Sequence, residues 1–422
     1  MTAATLSARL RPGDLDLTDP DTFLAGPPHA YLRMLRRDAP VSWNPAPERT
    51  SAHMGVERGL WVLARHADVV HVSRHPRAFS SHAGSAFVGD PDEEVLAQMR
   101  AQLINMDPPQ HVKYRRLVQR GFTPRMVRKL EPVIRAHARA IVDGVARKGR
   151  CEFVRELASP LPLILICELM GIPEEGRQRI FDWSNQMIGS DDPEMSEGVD
   201  PKAAATRMWL YSNELAAEKR AQPDDTLISR YVNGEVDGER ISEFEFNNFF
   251  VLLAVAGNET TRNATSHFIR VMDAHAEQFA LLRSDVDRWL GPAVEEVLRF
   301  SPPVMAFRRT ALEDAQLGGV AVKRGDKLYL SYVSANRDEE VFEHPEELDI
   351  SREKNDHITF GIGEHYCLGA NLARMQLRSL LREVLTRLRG LRLAEAPRIQ
   401  RSNLIHGIKE MWVEYEPERA QP

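Results

Sequence analysis

Apolar and polar positions divide the chain into three kinds of stretch. Near the N-terminus, short β-rich pieces at residues 41–43 and 59–63 stand among turn residues. From about residue 124 to residue 299, apolar residues recur at three- and four-residue spacing, which predicts helices. Between residues 318 and 334, and on both sides of His406-Gly407, the pattern predicts short strands joined by turns. The chain is therefore predicted to be mainly α with a minor β portion, with residues 1–422 forming a single domain.

The longest helical pattern begins at a capping box. Ser242 is the predicted N-cap, Glu245 follows three residues later, and the apolar periodicity continues past Met272. Gly257 lies inside this helix, where glycine costs about 1 kcal/mol relative to alanine. We therefore expect a close approach to the backbone at Gly257. The acid Glu259 follows in the same apolar helix, and a glutamate is costly to bury unless it is paired or functional.

Composition narrows the class of protein. The chain has 422 residues with 55 Lys and Arg against 61 Asp and Glu, a net charge of −6, which does not favour a nucleic-acid partner. The three cysteines, Cys151, Cys167 and Cys367, are widely spaced and odd in number, and this fits neither a disulfide framework nor a zinc site. No apolar stretch approaches the roughly 18 residues of a membrane-spanning helix. We expect a cytoplasmic protein without a membrane anchor.

Cys367 stands in the run Phe360-Gly361-Ile362-Gly363-Glu364-His365-Tyr366-Cys367-Leu368-Gly369, directly before a helical pattern. A lone free cysteine is more often a small core residue than a ligand. Here, however, a glycine-rich loop brings one thiol to the start of a helix, where the helix dipole favours the thiolate. A single thiolate suits one axial face of a haem iron. The glycines, phenylalanine and histidine at fixed spacing around Cys367 favour this second interpretation.

This run resembles the haem-binding loop of the cytochrome P450 superfamily, whose pattern F-G-x-G-x-H-x-C-x-G is met at every fixed position. The resemblance implies haem b as cofactor, Cys367 as axial ligand of the iron, and Phe360, Gly361 and Gly369 beside the cofactor. It also implies the P450 fold, a helix-rich triangular prism with haem between the long central helix and the cysteine loop with its following helix. The segment Leu15-Asp16-Leu17-Thr18-Asp19-Pro20 is similar to the opening of bacterial members.

The segment Ala256-Gly257-Asn258-Glu259-Thr260-Thr261 resembles the oxygen-binding helix motif of the same family, A/G-G-x-D/E-T-T/S. The resemblance implies that Ala256 lies beside the haem and that Glu259 and Thr260 are catalytic. Thr260 would hydrogen-bond dioxygen and hold a water molecule, and Glu259 would relay protons from solvent. Taken without the cysteine loop, the same residues are as well explained by a kinked helix with a solvated Glu–Thr face.

Two further sets of residues match family positions that support the cofactor. Glu296-Val297-Leu298-Arg299 is similar to the structural E-x-x-R motif, for which Arg352 is the implied partner. Buried haem propionates need cations, and the residues implied are His111, Arg115, Arg309 and His365. Arg308 is adjacent to Arg309, and the R-x-A-x-x-D spacing selects Arg309. Each of these residues alone would more often be a surface charge or a weak surface ion pair.

The positions that line the substrate pocket in the family are all apolar here, which predicts a lipophilic substrate. They are Phe87, Met106, Leu253, Ala256, Val304, Met305, Phe307 and Ile405. Residues 365–375 and 402–409 are similar to the actinobacterial group that hydroxylates terminal carbons of steroid side chains and methyl-branched lipids. We therefore predict a monooxygenase that uses O2 on a steroid side chain, a terpenoid or a fatty-acyl chain.

The resemblance implies that electrons come from a separate ferredoxin and its reductase. The helix after Cys367 carries basic residues at i, i+4 and i+8, and others precede the long helix; together they are predicted to dock an acidic ferredoxin on the Cys367 side. These residues are Arg374, Arg378, Arg382, Lys113, Arg116 and Arg120. The ordinary alternative for such residues is a solvated helix face.

Four other functions stay open at this point. One is a natural-product tailoring hydroxylase or epoxidase of the same fold. A second is a peroxide-driven haem enzyme, which the acid–alcohol pair Glu259 and Thr260 disfavours. The third is a non-catalytic haem sensor or carrier, and the fourth is a haem-free helical binding protein.

Overall fold

The computed structural model describes residues 10–45, 59–196 and 198–419, and it leaves the side chain of Arg120 undescribed. Its helices are α1 (His29–Asp38), α2 (His66–Arg74), α3 (Glu93–Arg100), α4 (Gln110–Val118), α5 (Pro124–Asp143), α6 (Pro160–Met170), α7 (Glu174–Ile188), α8 (Pro193–Ser196), α9 (Pro201–Ala221), α10 (Leu227–Val232), α11 (Glu243–Ala274), α12 (Ala276–Ser284), α13 (Val286–Phe300), α14 (Tyr332–Ala335) and α15 (Ala370–Arg387). Its strands are β1 (Val41–Asn44), β2 (Leu60–Leu63), β3 (Phe79–Ser80), β4 (Arg150–Glu152), β5 (Glu235–Val236), β6 (Glu239–Arg240), β7 (Ala306–Ala311), β8 (Ala315–Leu317), β9 (Val320–Val322), β10 (Lys327–Ser331), β11 (Arg389–Leu393), β12 (Arg398–Ile399), β13 (Ile408–Glu410) and β14 (Trp412–Glu416).

Helix α11 is the central element, with 32 residues. It begins at the predicted capping box: the Glu245 N–H donates to the Ser242 hydroxyl, and the Glu245 carboxylate accepts the Ser242 N–H at 2.9 Å. Its flanks pack against α6, α7, α9, α13 and α15. A Cβ at Gly257 would stand 2.8 Å from the Ile166 side chain of α6. The close approach predicted at Gly257 is therefore a helix–helix contact.

The strands form one larger sheet and several small ones. The five-stranded sheet has the order β1-β2-β10-β7-β3, and β10 runs parallel to β2 and antiparallel to β7. A three-stranded sheet has the order β11-β14-β4. The strands predicted between residues 318 and 334 are present as β9 and β10, but they belong to different sheets, since β9 pairs with β8. The strands predicted around His406-Gly407 are β12 and β13, which pair with each other.

The apolar core confirms a mainly helical fold with a minor sheet. The largest cluster of buried apolar side chains is built mostly by helices and takes residues from Leu103 to Tyr415. A second cluster joins the N-terminal segment at Leu17 and Phe23 to Met305 and strand β10. Both clusters combine residues that are far apart in sequence, so the N-terminal segment is packed onto the sheet region.

No single helix in the described ranges has the length and apolar character needed to cross a membrane. One bent pair of consecutive segments, Val154–Met170 and Glu174–Ile188, passes the same test jointly, with 116° between its members.

Candidate active site

Cys367 closes a tight glycine-rich loop just before α15. Its N–H donates to the Phe360 carbonyl oxygen at 2.7 Å. Gly361 and Gly363 have φ angles of +70° and +72°, the left-handed region that favours glycine. A Cβ at Gly363 would also stand 2.6 Å from the Ser73 carbonyl oxygen at the end of α2. The glycines of this loop are therefore required both by its backbone and by the close packing of α2 against it.

The Cys367 thiol is accessible, yet it lies deep in the protein. The residue is exposed, and burial nevertheless raises the pKa of its thiol. Its accessible surface therefore faces an interior space. The Gly369 N–H and the charges of Arg115 and Arg374 act in the opposite direction and lower this pKa. Apart from Gly369 and its two chain neighbours, no atom of the described residues lies within 4 Å of the position that a Cβ on Gly369 would take, so there is room beside this glycine, two residues after Cys367.

The other two cysteines have a different environment. Cys151 and Cys167 are both buried, and burial raises the pKa of each thiol to about 12. Both therefore stay protonated and apolar in character at neutral pH. Among the three cysteines, only Cys367 presents a thiol to open space.

Ala256 and Thr260 lie one turn apart on α11 and form an open part of an otherwise well-buried helix. Ala256 is exposed, and Thr260 and Leu253 are half-buried. The Thr260 hydroxyl donates to the Ala256 carbonyl oxygen at 3.0 Å. This bond fixes the hydroxyl proton, so the Thr260 oxygen offers its lone pairs as acceptors towards the open side.

Glu259 lies on a different side of α11 from Thr260 and is completely buried. Its Oε2 accepts hydrogen bonds from Arg262 Nη2 at 2.5 Å and from Asn263 Nδ2 at 3.2 Å. Burial raises the pKa of the Glu259 carboxyl, although Arg262 and Asn263 oppose the shift. Glu259 Oε1 and Arg262 Nε have no hydrogen-bond partner within the described part of the chain. This buried ion pair is only partly satisfied.

A polar pocket of about 590 Å³ adjoins the Glu259–Arg262 pair. Arg262 lines it and donates through Nη1 to Asn185 Oδ1 on α7 at 2.9 Å. Gln186 also lines the pocket, and its buried Oε1 has no protein partner in the described ranges. Buried polar atoms without protein partners are normally hydrated. Arg262 therefore connects the buried carboxylate to a polar, water-accessible space.

The four residues implied for the propionates come together. The rings of His111 and His365 are 4.4 Å apart, and the charges of Arg115 and Arg309 act on both imidazoles. Burial and these charges lower the pKa of His111 to about 4, and burial lowers that of His365 well below its ordinary value. Both ring nitrogens of His111 lack a partner among the described residues, and Arg309 is buried with a hydrogen bond only to the Arg308 carbonyl, at 2.7 Å. Such donors fit an anionic group, as the haem propionates are.

Arg308 has different contacts from its neighbour. It pairs with the Asp90 carboxylate at 2.8 Å and donates to the Gly89 carbonyl oxygen at 2.8 Å. The choice of Arg309 over Arg308, which the sequence made on spacing alone, agrees with this geometry.

Glu296 and Arg299 form a buried, bidentate ion pair on α13, with N–O distances of 2.7 and 2.8 Å. Arg299 also donates to the carbonyl oxygens of residues 336, 345 and 347. Arg352 Nε lies 3.3 Å from Glu296 Oε2, and Asn355 Nδ2 lies 3.0 Å from the same oxygen. The interlock implied by the E-x-x-R resemblance is present, and Glu296 ties α13 to the segment before the cysteine loop.

The apolar residues expected to line a substrate pocket have several locations. The rings of Phe87 and Phe307 lie 6.2 Å apart, edge to face. Val304 and Ile405 form an isolated β-bridge. Met305 has 1% of its surface exposed and packs in the second core cluster. Its side chain therefore belongs to the core and not to an exposed pocket wall.

Three other expected pocket positions lie beside open space. Leu253 and Ala256 share the open side of α11 with Thr260. Met106 lines a separate, mostly apolar pocket of about 510 Å³ beside the N-terminus of α11, together with Phe244.

The basic ridge on α15 is largely paired within the protein. Arg374 makes a bidentate ion pair with Glu295 of α13, with its closest approach at 2.8 Å. Arg378 lies 3.4 Å from the same carboxylate, and Arg382 pairs with Asp287. These three arginines join α15 to α13, so the ridge offers less free positive charge than its sequence suggests.

Of the remaining basic residues predicted to dock a ferredoxin, Lys113 pairs with Asp237. Arg116 is exposed and makes no ion pair with the described residues. The side chain of Arg120 lies outside the description. Among the predicted docking residues whose side chains are described, Arg116 is therefore the one without an ion pair.

Comparison with known proteins agrees with this geometry. The family profile "Cytochrome P450" matches residues 202–404. A steroid C26-monooxygenase of Rhodococcus jostii is 41% identical over 96% of this chain and 85% of its own length. The chain belongs to the cytochrome P450 family. A methyl-branched lipid omega-hydroxylase of Mycobacterium bovis is 40% identical over 89% of this chain and 88% of its own length. A Mycobacterium marinum P450 solved with pseudoionone has a TM-score of 0.88 and 38% identity, covering 97% of this chain and 100% of that one.

Family membership makes this P450 a haem-dependent monooxygenase, with haem b as its cofactor. Sequence reasoning missed several residues that the structure brings to the site. Arg262 could have been found, because Glu259-x-x-Arg262 has the same spacing as Glu296-x-x-Arg299. Asn185 and Glu295 carried no such signal, since their partners lie 77 and 79 residues away in sequence.

Proposed function

We propose that this P450 hydroxylates a terminal or near-terminal carbon of a lipophilic chain, as found in steroid side chains, terpenoids and methyl-branched or fatty-acyl lipids. The observation that carries the proposal is the thiol of Cys367, which opens onto an interior space beside a cluster of cations. The relatives named for steroid C26 and lipid omega positions support the chemical class of the substrate. The apolar side chains Phe87, Phe307, Val304 and Ile405 support a lipophilic ligand.

The residues present fit haem b, which, when bound, supplies the binding and activation of O2. Cys367 would hold the haem iron through its sulfur, and its thiolate is favoured by the Gly369 N–H, Arg115 and Arg374. The propionates would be held by His111, Arg115, Arg309 and His365.

Protons would reach the open side of α11 from the polar pocket. Arg262 lines the pocket and holds the Glu259 carboxylate, and Glu259 Oε1, which has no partner among the described residues, would bind a water molecule. The raised pKa of Glu259 makes a neutral, proton-donating carboxyl more accessible than for an exposed glutamate. Because Glu259 and Thr260 lie on different sides of α11, water molecules would carry the proton from Glu259 to the side of Thr260, whose oxygen would accept it.

The redox partner proposed is a ferredoxin with an acidic surface. Arg116 of α4 is exposed and unpaired, and so are Arg74 and Arg77 at the end of α2, among the described residues. Helix α2 packs against the cysteine loop, which supports a docking surface on that side of the protein. Arg116→Glu should raise the KM for ferredoxin at low ionic strength, whereas Arg382→Glu, which alters a residue already paired with Asp287, should change it less. Equal effects would contradict this docking surface.

The haem-thiolate assignment is tested by absorption spectra of the reduced carbon-monoxide complex. Wild-type protein and the Cys151→Ala and Cys167→Ala variants should show the thiolate-type Soret band, and Cys367→Ala should lose it. Substrate class is tested with purified wild type by titrating steroids, terpenoids and fatty acids, with a spin-state shift as the signal of binding. Products formed with ferredoxin, reductase and NAD(P)H should carry a hydroxyl at a chain terminus. A thiolate band that survives in Cys367→Ala, or products oxidised only on ring carbons, would contradict the proposal.

A further inference from the structure

Glu295 has no role suggested by the sequence, yet three side chains contact its carboxylate: Arg374, Arg378 and His357. Arg374 Nε lies 2.9 and 3.0 Å from its two carboxylate oxygens, and Arg374 Nη2 lies 2.8 Å from Oε2. Arg378 Nη2 lies 3.4 Å from Oε1, and His357 Nε2 lies 3.2 Å from Oε2. Burial of Glu295 favours the neutral acid, but the hydrogen bonds from His357 and Arg374 outweigh it and lower the pKa of Glu295 to about 2. Glu295 is thus a permanent anion at the junction of α13, α15 and the segment before the cysteine loop.

Arg374 in turn contacts residues at both ends of the cysteine loop. Its guanidinium lies 4.3 Å from the ring centroid of Phe360, the first residue of the loop. Its Nη1 lies 3.2 Å from the hydroxyl of Tyr366, the residue before Cys367. Since the Cys367 N–H bonds the Phe360 carbonyl, the two residues that Arg374 touches are those that position the thiol.

His357 adds a second connection from Glu295 to the same loop. The Thr359 N–H donates to His357 Nδ1 at 3.3 Å, so the Nε2 of the neutral ring carries the proton that is donated to Glu295. The His357 ring also lies 6.1 Å from the Phe360 ring. The residues leading into the loop are therefore fixed by the same carboxylate that fixes Arg374.

The charge of Arg374 is felt at Cys367, where it acts with Arg115 to favour the thiolate. A bidentate carboxylate both orients a guanidinium and offsets its charge. Without Glu295, Arg374 would keep its charge, lose its fixed orientation and place uncompensated positive charge close to the thiolate.

We propose that Glu295 is a positioning residue for the Cys367 thiolate, holding Arg374 against Phe360 and Tyr366 and setting the net charge beside the sulfur. The proposal rests on the assignment of Cys367 as the haem ligand. One-electron reduction of the haem adds negative charge, which nearby positive charge stabilises. Removing the Glu295 charge should therefore raise the reduction potential of the haem iron.

A control is available on the same two helices. Asp287 of α13 pairs with Arg382 of α15. Asp287 lies eight residues before Glu295, which is about 12 Å along the helix axis. Asp287→Asn removes one carboxylate charge from the same interface without touching the cysteine loop. Comparing it with Glu295→Gln separates a contact with the loop from a general change in charge.

The experiment uses the full-length, haem-loaded protein. The variants are Glu295→Gln, Asp287→Asn, Arg374→Gln and the Glu295→Gln/Arg374→Gln double variant. The midpoint potential and the carbon-monoxide spectrum are measured for each variant. Glu295→Gln should raise the potential and, because Arg374 loses its fixed orientation against Phe360 and Tyr366, shift the position of the thiolate-type band, and Asp287→Asn should leave both near wild type. Arg374→Gln should lower the potential. Adding Glu295→Gln to it should shift the band less than Glu295→Gln does alone, because the closest hydrogen bonds of the carboxylate go to Arg374.

The inference is overturned if Glu295→Gln and Asp287→Asn behave alike, or if Glu295→Gln shifts the band in the Arg374→Gln background as much as it does alone. If Glu295→Gln does not retain haem, Glu295→Asp replaces it. Glu295→Asp keeps the negative charge but shortens the side chain by one methylene, so it should alter the spectrum more than the potential. Wild-type values for both quantities would overturn the inference. A wild-type protein without a thiolate band would overturn the ligand assignment and this inference together.

Discussion

Two glutamate–arginine pairs with the same i,i+3 spacing occur on two helices of this P450, and they differ in how completely they are satisfied. Glu296–Arg299 on α13 and Glu259–Arg262 on α11 are both buried. Around the first pair, Arg352, Asn355 and backbone groups occupy the remaining donors and acceptors. Around the second, Glu259 Oε1 and Arg262 Nε stay unpartnered within the described structure, next to a polar pocket.

The difference is between a satisfied ion pair and one with polar atoms that lack partners among the described residues. A buried charge pair is stabilising only where its remaining hydrogen bonds are satisfied, and α13 meets that condition. We propose that the Glu259–Arg262 pair, whose arginine lines the polar pocket, exchanges protons, and that the Glu296–Arg299 pair, saturated by fixed donors, serves stability.

The largest effect is expected from breaking the satisfied pair. Arg299→Ala removes the bidentate partner of the buried Glu296 carboxylate and leaves Arg352 as its remaining cation, so unfolding free energy should fall by about 3–5 kcal/mol. The urea midpoint of the haem-loaded protein measures this loss. Arg262→Ala is the matched control and should lose less, because the adjoining pocket lets water solvate Glu259. Equal losses would mean that the two pairs do not differ in the way proposed.

A smaller effect, on turnover, is expected from the partly satisfied pair. Glu259→Gln keeps the shape of the side chain but removes its proton exchange, and product formation should fall by about 100-fold. Substrate affinity, read from the spin-state titration, should stay near wild type. Glu410→Gln, which changes another carboxylate lining the same pocket, is the control and should keep near-normal turnover. Normal turnover in Glu259→Gln would remove Glu259 from the proton route.

The smallest expected effect concerns pH. Burial raises the pKa of Glu259 above its ordinary 4.5, so the folded state holds a proton that the unfolded chain has already released. This contribution to stability is fully present below pH 4.5 and is lost as the pH rises through the folded-state pKa. In Glu259→Gln the urea midpoint should therefore fall less with rising pH than in wild type. Parallel curves for the two proteins would show that Glu259 titrates as it does in the unfolded chain.

Much of the fold and part of the site follow from local pattern. The capping box and the 3.6-residue period predicted α11, and the glycine-rich loop marked Cys367. The family pattern R-x-A-x-x-D selected Arg309, and the structure engages Arg308 with Asp90. Helix α11 follows from local geometry, since side chains a few positions apart share one face, whereas the roles of Cys367 and Arg309 are what the resemblance to the family implies.

Other features needed the packed structure. Three cations of the α15 ridge form pairs with α13, and Glu295 meets Arg374 across 79 positions of sequence. Met305 faces the core, and Gly257 is explained by Ile166 of another helix. No local period encodes such contacts, because they depend on how helices pack against one another.

The sequence by itself therefore determined that a single cysteine stands before a helix, that an acid and an alcohol follow each other in the central helix, and that an E-x-x-R pair is present. Only the tertiary structure decided which of the two equally spaced ion pairs is fully hydrogen-bonded and which adjoins a pocket. It also decided which arginine contacts the cysteine loop. The physical reason is that burial and charge compensation depend on neighbours from distant segments, and these neighbours determine whether a charged side chain serves stability or chemistry.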